Sequence, residues 1–132
     1  DTSGVGEVHP KAKISAKRIR QGDKIILSGP LATHGIAIMS VRRGLEFETD
    51  ILSDTTNLNH TVMDLLDKFG EEIHFLRDPT RGGLGTVLNE IALQIGLGIQ
   101  LQQKSIPIDE QVNGACEMLG LDPLYVANEG LF

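Results

Sequence analysis

The chain has 132 residues, 40% of them hydrophobic, which is enough for one domain with a core of its own. Its net charge of −6, from 12 basic and 18 acidic side chains, argues against a nucleic-acid backbone as the main partner, and no apolar run is long enough to span a membrane. Cys116 stands alone, so no internal disulfide can form; this and the lack of a visible secretory pattern favour a reducing, cytoplasmic setting.

Residues 1–12 carry Gly, Ser and Pro without periodicity and read as the end of a preceding segment plus a linker. The chain opens without Met and stops after Glu129-Gly130-Leu131-Phe132, which reads as a piece of a longer protein. Ile14–Arg20 is short and basic, the pattern of a solvated connector. Asp23–Gly29 follows the Gln21-Gly22 turn and reads as a buried strand. Ile36–Val41 reads as a buried helix ending at Gly44, with Thr33 as its cap and His34 in its first turn. His34 follows a strand in a glycine-containing loop. It is either a surface or capping histidine, or a group that donates to an anion and shuttles a proton near neutral pH.

Asp50 and Asp54 open a polar stretch. They are read either as loop and cap residues or as Mg²⁺ ligands. Asn59 is expected to cap a helix whose face carries Val62, Leu65, Leu66 and Phe69 and which ends at Gly70. Ile73–Leu76 then reads as a second strand. His60, His74 and Cys116 lack metal-ligand spacing, so no metal site is assigned.

The next stretch, Arg77-Asp78-Pro79-Thr80-Arg81-Gly82-Gly83-Leu84-Gly85, organises the chain. Pro79 ends the strand by biasing Asp78 away from helical dihedrals. Asp78 or Thr80 is expected to cap a helix in which Leu84, Val87, Leu88, Ile91 and Ile95 share a face. A helix start beside Arg81, with Gly82 and Gly83 admitting close approach, suits a phosphate. The same residues also make a capped turn with glycines for tight packing. The spacing is neither a dinucleotide fingerprint nor a Walker loop. Gly96 closes the helix, and Leu97–Gln102 alternates like a half-exposed strand. Asp109 is expected to cap a last helix burying Val112, Ala115, Cys116 and Leu119, which makes Cys116 a core residue rather than a nucleophile. Leu124–Ala127 reads as a final strand, followed by Asn128 and Glu129. Glu129 is either a turn carboxylate in solvent or a general base at a strand end.

Four segments together resemble one family. They are Leu31–Ala37, Ser53-Asp54-Thr55 with Asn57-Leu58-Asn59, Leu76–Leu84, and Gly114–Gly130. The chain resembles the HypE family of hydrogenase maturation factors, carbamoyl dehydratases of the PurM-like, AIR-synthetase-related superfamily. The resemblance implies an α+β fold: an α/β sandwich in three layers, with a partly ferredoxin-like mixed sheet. It implies that residues 1–10 end an N-terminal ATP-binding domain, or link to it. Residues 11–132 would form the C-terminal domain, truncated before the catalytic tail. The implied activity is ATP-dependent dehydration of a carbamoylated C-terminal cysteine to a thiocyanate. The cyanide goes to the iron of a [NiFe] hydrogenase. ATP and Mg²⁺ would be held mainly by the absent N-terminal domain, with HypF and the HypC–HypD complex as partners and a homodimer as the full-length state. Carried over by motif, Glu129 is the base, His34 assists proton transfer, Asn128 orients Glu129 or the carboxamide, and Asp78, Thr80, Arg81, Gly82 and Gly83 hold phosphate. Cys116 does not match the tail cysteine, and the chain alone is expected to be inactive. Two other readings remain: another PurM-like synthetase, of selenophosphate or purine-pathway type, and a docking module without catalytic groups.

Overall fold

The computed structural model describes residues 3–44 and 51–132. Four α-helices form among them: α1 (Thr33–Arg43), α2 (Asn59–Phe69), α3 (Gly83–Ile95) and α4 (Glu110–Leu119). Short 3₁₀ turns cover Ala16–Arg18, Gly70–Glu72, Gln103–Ser105 and Pro123–Tyr125.

The helices follow the apolar spacing. Leu84, Val87, Leu88 and Ile91 are buried on α3, and Val112, Ala115 and Cys116 on α4. With Leu31, Ala32 and Ile36 at the start of α1, and Val126 and Leu131 near the chain's end, they form one core. The helix stops are where glycine puts them. Gly44, Gly96 and Gly120 sit at φ 61, 68 and 68°, the left-handed region a glycine enters without a Cβ clash. Helix α2 is different, because of its predicted face only Leu66 is buried and Phe69 is 41% exposed.

The starts of α1, α2 and α3 depart from expectation, whereas Asp109 takes the cap position of α4 as expected, without a side-chain cap hydrogen bond. Ala32 occupies the cap position of α1 at φ 72°, and Thr33 is the first helical residue. Asn59 is likewise helical rather than a cap. Gly82 at φ 75° takes the cap position of α3, while Thr80 Oγ1 donates to Asp78 Oδ2 at 2.5 Å. The two expected caps are therefore committed to each other.

The α/β sandwich with a three-layered, ferredoxin-like mixed sheet is not present: no strand forms among the described residues. The four predicted strands exist as chain segments without ladders. Asp23–Gly29 is not buried, with Ile25 49% and Ile26 81% exposed. Leu124 and Tyr125 belong to a 3₁₀ turn instead, set by Pro123 at its start and by the Asp122 carboxylate accepting from the Leu124 N–H. Backbone pairing between segments is single rather than laddered. Ser15 N donates to His74 O, Ser28 N to Phe132 O, Leu31 N to Pro107 O and Asn128 N to Thr80 O. Alternation and β-branched composition dictate an extended backbone. A ladder also needs a partner edge in register, which periodicity does not encode.

Segment Leu124–Ala127 is instead wedged between two helix starts. A Cβ at Gly83 would run into the carbonyl oxygens of Leu124 and Val126. One at Gly85 would meet the Tyr125 ring, and one at Gly35 the Val126 side chain. The Ile14–Arg20 connector is also anchored, not merely solvated. Arg18 donates to the carbonyls of Lys13 (2.6 Å) and Glu71 (2.5 Å), and Ala16 is buried. Asp23 Oδ2 lies 2.7 Å from His74 Nδ1 and accepts from Arg20 N at 2.9 Å. These two hydrogen bonds, the His74 one first, hold the Asp23 carboxyl below its ordinary value of 3.8.

Gly83→Ala is expected to lower stability by on the order of 3 kcal/mol, because a left-handed alanine and a backbone collision add. Gly114, mid-helix in α4 with nothing within 4 Å of its missing Cβ, is the control. There, Gly114→Ala should stabilise by about 0.5–1 kcal/mol in urea unfolding. The Asp23 contribution has a defined pH window. A depressed carboxyl stabilises the fold above its unfolded value and loses that contribution as pH falls through the lowered folded value. Asp23→Asn should therefore lower stability in the neutral region, where that contribution is present, and flatten the acid limb below 3.8, where the wild-type protein loses it.

Candidate functional site

Asn128 is the hub of the candidate site. Its side chain is buried, with the residue 1% exposed. Oδ1 accepts from the Ala32 N–H at 2.8 Å, and Nδ2 donates to the carbonyls of Pro79 (2.9 Å) and Val126 (3.1 Å). The Asn128 N–H reaches Thr80 O at 3.3 Å. The three turns that carry His34, Arg81 and Glu129 are thus tied to one amide. Both of its donors are used on backbone.

His34 and Glu129 are connected through a third segment. His34 Nδ1 is 2.8 Å from Ser53 Oγ. One residue further, the Asp54 carboxylate accepts the Glu129 N–H, at 3.2 and 3.4 Å. Glu129 itself is exposed and His34 is half-buried. Thr33 Oγ1, at the start of the same helix, is buried without a hydrogen-bond partner.

Asp78, Thr80 and Arg81 line a separate cleft of about 520 Å³ together with Arg77, Val87 and Glu90. Arg77 pairs with Glu90 at 3.0 Å, and Asp78 faces Thr80. Arg81, which lines the cleft, makes no side-chain hydrogen bond or ion pair among the described residues. Gly82 and Gly83 do not line the cleft. The space at Gly83 is filled by residues 124–126, the packing role that the turn pattern also allowed. His34 and Glu129 do not line it either.

Sequence reading passed over Glu90, whose place on α3 opposite Arg77 follows only from the turn geometry, and gave Ser53 no role. Asp50 lies outside the described residues. Asp54 faces a backbone N–H, and no cluster of three or more His, Cys, Asp or Glu suited to a metal forms among the described residues. Cys116 is buried in α4, and burial, followed by the nearby Asp122 charge, pushes its thiol up, away from the reactive thiolate.

The chain belongs to the family of AIR synthase related proteins, whose C-terminal domain matches residues 20–132. Within that family it is similar to HypE proteins. It is 54% identical over 129 residues to the carbamoyl dehydratase HypE of Azotobacter vinelandii, covering 98% of this chain and 38% of that protein. A crystal structure of a HypE–HypF complex superposes with a TM-score of 0.85 at 44% identity, over 89% of this chain and 38% of that one. HypE in complex with ATP superposes at 0.84 and 49% identity, over 89% of this chain and 35% of that one. The chain spans a little over a third of the length of these relatives. No helix of the described residues is long and apolar enough to cross a membrane.

Substitution at the hub gives a measurable outcome. Asn128→Ala strands the Ala32 N–H and two carbonyls and should cost on the order of 3 kcal/mol. Asn128→Asp keeps the acceptor but sets a carboxylate against the Pro79 and Val126 oxygens, which raises its folded pKa. Its penalty should therefore grow as pH rises from the unfolded carboxyl value toward that raised value, seen as a steeper loss of urea midpoint at pH 8 than at pH 5.

Proposed function

We propose that this chain is the C-terminal domain of an ATP-dependent carbamoyl dehydratase that makes the cyanide ligands of a [NiFe]-hydrogenase iron. The similarity to HypE in complex with ATP, 49% identical with a TM-score of 0.84, is the observation that carries the reading. In this reading residues 1–10 end or follow the ATP-binding domain, and the remainder supplies half of a composite site. The full-length protein works as a homodimer in the cytoplasm, receives the carbamoyl group from HypF and passes cyanide on through HypC–HypD. The similarity to a chain crystallised with HypF supports the first of these partners.

The chemistry sets what the residues must do. A carboxamide oxygen leaves only after phosphorylation by ATP, with Mg²⁺ balancing the phosphate charge. Both amide protons must then go to a base as the C–O bond breaks and the nitrile forms. Glu129, exposed and held at its backbone by Asp54, is the base. His34 is the second proton-handling group. Asn128 acts by fixing the backbone next to Glu129 rather than by touching substrate, because its amide is filled by Ala32, Pro79 and Val126. Arg81, with Asp78 and Thr80 beside it, meets phosphate or the charge that develops on it. Gly82 and Gly83 shape the turn that aims Arg81.

The test uses the full-length protein carrying its carbamoylated tail. Glu129→Gln should lower single-turnover thiocyanate formation about 100-fold or more, while ATP binding stays within about threefold. Thiocyanate formation within threefold of wild type in that variant, with partner binding lost, would instead favour the docking-module reading.

A further inference from the structure

Ser53, Asp54 and Thr55 form a strap that touches both proton-handling residues. Ser53 Oγ lies 2.8 Å from His34 Nδ1 and 2.7 Å from Thr55 Oγ1, and it accepts the Thr55 N–H at 3.2 Å. The Asp54 carboxylate accepts the Glu129 N–H. A Cβ at Gly130 would run into the Asp54 carbonyl oxygen, so the strap lies directly on the backbone beyond Glu129.

We propose that this strap positions the pair, with Ser53 fixing the His34 ring so that Nε2 is its working nitrogen and Asp54 fixing the backbone from which Glu129 projects. The inference rests on the reading of His34 and Glu129 as the proton-handling groups. It follows from counting hydrogens. A serine hydroxyl has one hydrogen and two acceptor sites. The Thr55 N–H takes one acceptor site, leaving one hydrogen and one site for two neighbours. When Ser53 donates to Nδ1, it accepts from the Thr55 hydroxyl. When Nδ1 carries a hydrogen, Ser53 accepts it and turns its own hydrogen to Thr55. In both states Nδ1 is occupied, and Nε2 makes no hydrogen bond among the described residues. A proton exchanged with substrate therefore passes through Nε2. With Nδ1–H donating to Ser53 and Ser53 donating to Thr55, a proton gained or lost at Nε2 leaves this chain unchanged, keeping the ring partnered before and after the exchange.

Asp54 needs only an acceptor oxygen for its part. The asparagine amide offers one, so charge is not the operative property there.

The experiment measures single-turnover thiocyanate formation in the full-length protein with its carbamoylated tail, across pH, and reads the His34 ring by ¹⁵N NMR. Ser53→Ala should slow the reaction about tenfold, leave the KM for ATP unchanged and displace the Nδ1 resonance, and Ser53→Thr should restore both. Asp54→Ala should slow it similarly, while Asp54→Asn stays within about threefold of wild type. Thr55→Val covers the case in which Ser53→Ala does not fold. It should displace the His34 Nδ1 resonance, because Ser53 loses one of its hydrogen-bond partners, and an unmoved resonance overturns the proposal. An unchanged rate and an unchanged ¹⁵N spectrum in Ser53→Ala overturn the Ser53 assignment. Asp54→Asn as damaging as Asp54→Ala overturns the Asp54 assignment in favour of a charge role. Glu129→Gln and His34→Ala run alongside separate the two failures. If they abolish turnover while the strap variants are silent, only the strap inference falls. If they too are silent, the underlying assignment of the proton-handling groups falls.

Discussion

One carboxamide, that of Asn128, joins the turn before α1, the turn before α3 and the chain's final segment. Left without partners in the core, an amide of this kind costs about 2–7 kcal/mol, whereas each bond it makes returns only about 0.5–1.5 kcal/mol net. The asymmetry matters more than the sum. A conformation that displaces any of the three turns leaves a buried donor or acceptor unpaired, so the turns are held together or not at all. The close contacts at Gly35, Gly83 and Gly85 serve the same end, because no side chain stands between the helix starts and residues 124–127. The site is built from turns, yet it is as fixed as a core.

The same amide sustains a strained backbone. Ala32 sits at φ 72°, a conformation that costs an L-residue roughly 1–2 kcal/mol. Its N–H points at Asn128 Oδ1, 2.8 Å away, and its side chain is buried, so hydrogen bond and packing together hold the outlier. The helix is entered through this left-handed residue, and His34 in its first turn lies 2.8 Å from Ser53 Oγ.

Much of this was legible in the sequence, though unevenly. The four helices follow from apolar spacing and their ends from Gly44, Gly70, Gly96 and Gly120, because both signals are local. The strands fail for the opposite reason: Asp23–Gly29 and Leu97–Gln102 have strand composition, but pairing depends on a partner far along the chain. Helix caps fail more subtly. Thr33, Asn59, Asp78 and Thr80 are all competent caps, yet a glycine at Gly82 and a strained Ala32 take the cap positions beside two of the starts, where backbone closeness to residues 124–128 outweighs a side-chain cap. His34, Arg81 and Glu129 were picked out by residue type and loop position. Their division into a cleft and a strap was not: Ser53 and Asp54 stood out only as part of a motif, with Asp54 open between a loop residue and an Mg²⁺ ligand, and Glu90 gave no signal until distant segments meet.

That division has an electrostatic logic. The chain carries a net charge of −6, so any anion would approach against the overall field. In the cleft Arg77 is paired with Glu90 and contributes little beyond shape, as exposed pairs do. Asp78 is turned to Thr80. Arg81 is left as a local cation on a turn whose backbone is locked to Asn128 through Pro79 and Thr80. A long, exposed arginine on a mobile loop would pay its ordering cost on every binding event, whereas a fixed base confines that cost to the side chain. Glu129 is arranged in the same way, an exposed carboxylate next to a buried Asn128 on one side and a close-packed Gly130 on the other. In both places the charge faces solvent and the rigidity lies in the residue beside it. Burying the acid or the guanidinium themselves would fix them too, but would shift their protonation and weaken their reach. Rigid neighbours fix the position and leave the charge available.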